Sequence, residues 1–186
     1  MKKRNILIIA LLLCGLGALA LVEGYIKPHL RTEKERYLAE QQEPLTHDFD
    51  RLLEFKSPYM GDASNLANLN AALPLSDIQR TFELFPESLT AEISYQGSPA
   101  AVEGELFYRA LVYIATANFV LIDNLETLVL NFGEDSLTVS RSAVEHWYGV
   151  ELAALQRAEK WAEQVQRPLA RQSYVQAFIE ENFIAE

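Results

Sequence analysis

An unbroken apolar run from Ile6 to Val22 sets the first limit on what this chain can be. It stands behind Lys2, Lys3 and Arg4 and is 17 residues long. About 20 apolar residues cross a bilayer core as a helix, with about 17 the lower bound. Basic residues ahead of such a run keep that end in the cytoplasm and send the rest outside. The expectation is a single-pass membrane protein, N-terminus inside, with everything past Glu23 extracytoplasmic. The alternative is a signal peptide cut after Ala18-Leu19-Ala20, near Ala20, which would leave a secreted domain. The run exceeds the usual signal core of about 7–15 residues, and Leu21 and Val22 carry it past that cut, so the anchor is favoured. Cys14 lies deep in the run behind Leu13, where a lipidation signal would place a small residue. It reads as a small apolar residue of a membrane helix.

Residues 23–44 form a second segment of different character. Between Glu23 and Gln42 the chain is strongly charged, and Pro28 is expected to kink or restart it. Leu30, Tyr37 and Leu38 give only a thin apolar stripe, as on a solvated helical stalk. Pro44 marks its end, and residues 45–186 remain for one domain. Hydrophobic residues make up 49% of the 186 and charged ones 23%, which suits a folded domain rather than a disordered chain. Cys14 being the sole cysteine, that domain must stand on core burial without a disulfide. The net charge is −10 although three basic residues precede the apolar run. So acidic a domain repels nucleic acid, which is excluded as a partner.

Along the domain, Thr46 can cap a short helix through Phe55 with Phe49, Leu52 and Leu53 on one side. Lys56-Ser-Pro-Tyr-Met-Gly-Asp is a turn cluster. Asp62 or Ser64 can cap the next helix, whose Leu66, Leu69 and Leu73 share a face until Pro74. The period then falls to two: residues 82–85 and 89–95 form a hairpin with Leu89, Ala91, Ile93 and Tyr95 on one side. A Gly/Ser/Pro/Ala loop leads to Leu106–Ile122, which is apolar on most sides. Arg109, Thr116 and Asn118 within it argue for a buried central helix over a second membrane span. A second hairpin follows, with Leu128, Leu130 and Phe132 inward and Ser136–Ser140 as its return. Helices are expected from Ser142 to Gly149, from Glu151 to Arg167, and from Pro168 through Phe183. Short half-polar strands indicate an α+β fold of two layers: roughly four antiparallel strands with helices on one face.

The stretch Phe55-Lys-Ser-Pro-Tyr-Met-Gly-Asp-Ala-Ser, the helix ending at Leu73-Pro74 and the hairpin after it resemble a bacterial extracytoplasmic family labelled a domain of unknown function. Leu121-Ile-Asp-Asn, the strand Leu128-Val-Leu-Asn-Phe and Ser142 to Tyr148-Gly149 fit its second half. The resemblance covers roughly Thr46 to Val150, leaving residues 151–186 as a helical extension. It implies an envelope location, in small anchored proteins or appended to membrane metallopeptidases of the beta-lactam-sensor type. It brings no catalytic residues with it.

The residues show no recognisable chemistry of their own. His29, His47 and His146 stand in three segments, so no pair sits one helical turn apart around a glutamate as a zinc peptidase requires. His146 reads as a surface or packing residue. No serine sits in a Gly-x-Ser-x-Gly elbow, and no glycine loop suits a phosphate. Asp62-Ala-Ser-Asn-Leu-Ala-Asn lacks the distal glutamate of a calcium loop and reads as a helix cap. No cofactor, metal site or catalytic residue is expected. The candidate structural or recognition turn is Pro58, Tyr59, Gly61, Asp62 and Ser64. Gly61 is expected to reverse the chain with a positive φ and Tyr59 to bury its ring. The function expected is a non-catalytic binding, sensing or interaction module with a protein or peptide partner in the envelope. The alternative is an envelope-acting hydrolase with an unrecognised acidic site. Converging acids or histidines in a closed pocket would mark the enzyme, and an open sheet edge or apolar patch the binding module.

Overall fold

Alternating apolar residues give the sheet of the computed structural model, which describes residues 15–16, 18–96 and 104–185. Five strands run β1 (Arg80–Phe85), β2 (Thr90–Tyr95), β3 (Thr127–Phe132), β4 (Asp135–Ser140) and β5 (Phe183–Ala185), adjacent in that order. The expected hairpins β1–β2 and β3–β4 are both antiparallel. Two expectations are corrected. The sheet is mixed, because β2 and β3 pair in parallel, and it has a fifth strand. The parallel pair follows from the connection: the long central helix returns the chain to the starting end of the sheet before β3 begins. The fifth strand comes from the last residues, where the chain leaves its helix at Asn182 and pairs Phe183 with Val139. Residues 151–185 are therefore a helical segment that ends in the sheet.

The helices are α1 (Lys27–Gln42), α2 (Ala63–Ala72), α3 (Gly104–Leu121), α4 (Arg141–Tyr148), α5 (Ala158–Trp161), α6 (Arg167–Leu169) and α7 (Gln172–Asn182). Short 3₁₀ turns at Phe49–Phe55 and Leu152–Gln156 complete the helical layer. On the inner face of the sheet, Ala91 pairs with Leu128, Ile93 with Leu130 and Tyr95 with Phe132. All six are buried. The other face carries Thr90, Glu92, Ser94, Thr127, Asn131 and Thr138 with Phe85 and Val129 among them, so one face is covered and one is mostly polar. α3 is the buried central helix: every residue from Ala110 to Leu121 is buried. Among the described residues no helix is long and apolar enough to cross a membrane. Most of the Ile6–Val22 run, expected to be the anchor helix, lies outside the described residues, at 6–14 and 17.

Prolines bend the expected helix boundaries. Pro28 lacks the N–H that would continue the ladder, and a π turn over Val22–Ile26 precedes it, closed by Lys27 N–H on the Val22 carbonyl. Pro168 repeats the device after the π turn Ala162–Gln166, where Arg167 N–H reaches the Ala162 carbonyl. A widened turn ahead of each proline lets the helix continue through it. Pro168 therefore lies in α6 rather than opening the last helix, and α7 begins after Arg171.

The chain divides into two compact units, Met1–Glu40 and Gln41–Glu186. In the first, Lys27 pairs with Glu23 and Arg36 with Glu40 at helical spacing. Such exposed pairs contribute only a few tenths of a kcal/mol each, about 0.3–0.5. The second unit holds the sheet and the core.

Candidate functional site

Two loops distant in sequence are bolted together at the C-terminal end of α3. Residues 57–62 carry the Pro-Tyr-x-Gly-Asp stretch, and residues 121–126 link α3 to β3. Ser57 forms an isolated parallel bridge with Ile122. Its N–H donates to the Leu121 carbonyl at 2.8 Å, and its carbonyl accepts from Asp123 N–H at 2.9 Å. Met60 N–H donates to Asn124 Oδ1 at 2.6 Å. Inside the turn, the Ser57 hydroxyl accepts from Tyr59 N–H and donates to the Tyr59 carbonyl, both at 3.1 Å. The turn is therefore fixed by backbone and side-chain bonds at nearly every residue, which leaves few free backbone groups to water.

The next helix begins where the turn ends. Asp62 is the N-cap of α2, its carboxylate accepting from Asn65 N–H at 2.9 Å. The Asn65 side chain in turn donates to the Phe55 carbonyl at 2.6 Å, tying the helix start back to the preceding 3₁₀ turn. Ser64 lies one residue inside the helix and is exposed. The alternative of Ser64 as the cap is thereby settled in favour of Asp62.

Two expectations about this turn are corrected. Gly61 is not in the left-handed region, where the described glycines are Gly133 and Gly149. A Cβ built on Gly61 meets nothing within 4 Å. The reversal is made by the Ser57 and Asn124 hydrogen bonds and does not need a glycine. Tyr59 does not bury its ring; it is 69% exposed, and Met60 beside it is 1% exposed. The bond from Asn124 turns Met60 inward, so its flexible thioether fills the core beneath the turn. Pro58 and Tyr59 are left on the outside.

Arg141 closes the assembly from below. Its Nε donates to the Leu125 carbonyl at 2.7 Å, and Nη2 to the carbonyls of Phe119 at 2.8 Å and Ile122 at 2.6 Å. A guanidinium at the C-terminus of α3 satisfies carbonyls that the helix cannot, and its charge complements the negative end of the dipole. Sequence reasoning missed Met60, Asn124 and Arg141. Asn124 stood in the Leu121-Ile-Asp-Asn stretch, but nothing local linked it to residue 60. Arg141 carried no signal.

An open cleft of about 830 Å³ adjoins the assembly, lined among others by Asp123, Arg141, Glu145, His146 and Glu151. His146 is exposed in the last turn of α4. A groove of about 450 Å³ lies between the starts of α3 and α7, lined in part by Tyr108, Arg109, Val175 and Ile179. Arg109 is already engaged there, on Glu43 at 2.9 Å and on the Leu169 carbonyl at 3.1 Å. Among the described residues no three His, Cys, Asp or Glu side chains are placed to hold a metal ion.

No curated protein and no solved structure matches the chain. A domain of unknown function, DUF4825, is found at residues 52–143, a span that takes in the pinned turn, the loop beneath it and Arg141.

Proposed function

We propose that this chain is a membrane-anchored, extracytoplasmic and non-catalytic binding module of the cell envelope. It presents residues 58–62 to a protein or peptide partner. The observation that carries the reading is the inversion at Tyr59 and Met60: a large aromatic ring is 69% exposed on a turn held rigid by the bonds of Ser57 and Asn124. A rigid exposed tyrosine binds at low entropic cost, because the turn is already ordered and the ring has two torsions to fix.

The anchor rests on the apolar run behind Lys2, Lys3 and Arg4, and on Leu16, Leu19 and Leu21, whose side chains are exposed. Exposed apolar side chains in a row suit a lipid environment. The resemblance to domains appended to beta-lactam-sensor-type metallopeptidases adds an envelope setting.

The test is a photo-reactive residue at position 59 of the full chain in intact cells, with Glu83 on the open sheet face as the control position. The expected result is a discrete crosslinked species from position 59 and none from position 83. It should form with a reagent that acts only outside the cytoplasm. Equal crosslinking from both positions, or crosslinking confined to the cytoplasm, would overturn the proposal.

A further inference from the structure

We propose that His47 is a pH-sensitive latch that holds residues 43–48 on the core at neutral pH and releases them on acidification. The latch is separate from the Tyr59 turn and does not depend on that reading. His47 is buried, with both ring nitrogens committed. Nε2 donates to the Ala72 carbonyl at 2.8 Å, at the end of α2. Nδ1 stands 3.0 Å from the Tyr113 hydroxyl of α3. That hydroxyl also accepts from Trp161 Nε1 at 3.2 Å. The chain of donors therefore runs from Trp161 to Tyr113 to His47 to Ala72, and it requires an imidazole with a bare Nδ1.

The rest of the strap is held by groups that do not titrate near neutrality. Gln166 Nε2 donates to the carbonyls of Pro44 at 3.0 Å and His47 at 2.8 Å. Glu43 pairs with Arg109 of α3. The charged groups around the ring are Asp48 and Arg51 from the strap side. α3 adds Tyr113 and the paired Arg109, and α5 adds Trp161 beside Lys160. α2 carries no titratable side chain. Of these types, histidine is the one that ordinarily changes charge between about pH 5 and 8.

Protonation breaks the chain in two ways. It puts a charge in a buried site, and it makes Nδ1 a donor facing a hydroxyl that already accepts from Trp161. Tyr113 would then have to turn its proton away from its partner. Burial holds the imidazole below its ordinary value of 6.5, the neighbouring Ala72 bond and Asp48 opposing this only in part. In an opened strap the ring returns to its ordinary value. The stabilisation is therefore complete above about pH 6.5 and is lost as pH falls below it.

The test is amide hydrogen exchange of the full chain, corrected for intrinsic rates, read at the Thr46 and His47 amides. Both donate to the Glu43 carbonyl at 3.0 Å. Between pH 7.5 and 5.5 the strap's opening constant should rise several-fold, with about tenfold the ceiling for one proton taken up on opening. His47→Gln keeps a neutral donor for Ala72 and should show no such rise. An unchanged wild type, or a variant that rises equally, would overturn the latch. Because the variant could loosen the strap at every pH, the His47 ring resonances of the wild type give a second reading. The ring should titrate below 6.5, and strap opening should rise as pH falls from 6.5 towards that midpoint. A ring that titrates at or above 6.5 while both amides stay protected would also overturn it.

Discussion

Asn118→Ala should cost the domain about 3 kcal/mol, read from urea denaturation at neutral pH. Asn118 on α3 and Asn70 on α2 are fully buried and face each other. Each amide donates to the other's oxygen, at 3.0 and 3.1 Å. Each spends its second hydrogen on the carbonyl four residues earlier, Leu66 at 3.0 Å and Ile114 at 2.9 Å. The pair is thus closed on itself, which is why two amides can sit in an apolar core. Alanine at 118 strands the Asn70 oxygen and one of its hydrogens away from water. Each buried unpaired group costs about 1–3 kcal/mol, before any cavity is counted. Changing both Asn70 and Asn118 to alanine removes the stranded partner as well. The double variant should lose clearly less than the two single losses added together. Strict additivity would show that the amides do not interact as described.

Arg141→Met should cost about 4 kcal/mol, because three carbonyls lose a charged donor at once. The side chain is 12% exposed, so water cannot readily replace it. The guanidinium also lies over the Phe119 ring, 5.6 Å from its centre, and 3.7 Å from Glu145. Arg141→Lys should recover only a minor part, since a single ammonium cannot span carbonyls that a planar fork reaches together. The effect should spread to the turn. Ile122, Asp123 and Asn124 pin residues 57–60, so the Met60 amide should exchange faster in the methionine variant. A loss below about 1 kcal/mol would mean that the carbonyls find other donors.

How much of this was legible in the sequence depends on the reach of each interaction. The inner residues of β2 and β3 alternate, and their burial follows directly from that period. α3 was legible for a similar reason, and its three polar residues argued against a membrane span. Their partners were not legible: Arg109 reaches Glu43, Thr116 reaches Tyr148, and Asn118 reaches Asn70. Those contacts cross 66, 32 and 48 residues, beyond any local pattern. The parallel pairing of β2 with β3 was missed because alternation looks the same in either direction. β5 was missed because Phe183 also continues the apolar face of α7, and only pairing with β4 separates the two.

The turn shows the same limit in one place. Its existence was readable from Pro58 and Gly61, and so was the Asp62 cap. Which side chain it buries was not. Tyrosine is the larger apolar surface, so composition favoured burying Tyr59. The bond from Asn124, 64 residues away, buries Met60 instead. Gly61 looked indispensable because glycine is the usual source of a positive φ. The reversal here uses ordinary backbone angles, so the residue type carried no conformational information.

The turn is built from beneath by the bonds of Ser57 and Asn124, and Tyr59 is left exposed on it. The measurement that tests this most directly is the denaturant stability of Tyr59→Ala beside the parent. The predicted result is a difference within about 0.5 kcal/mol, as for a surface residue without a structural role. A loss of about 2 kcal/mol or more would contradict it, because the ring would then be holding the turn together.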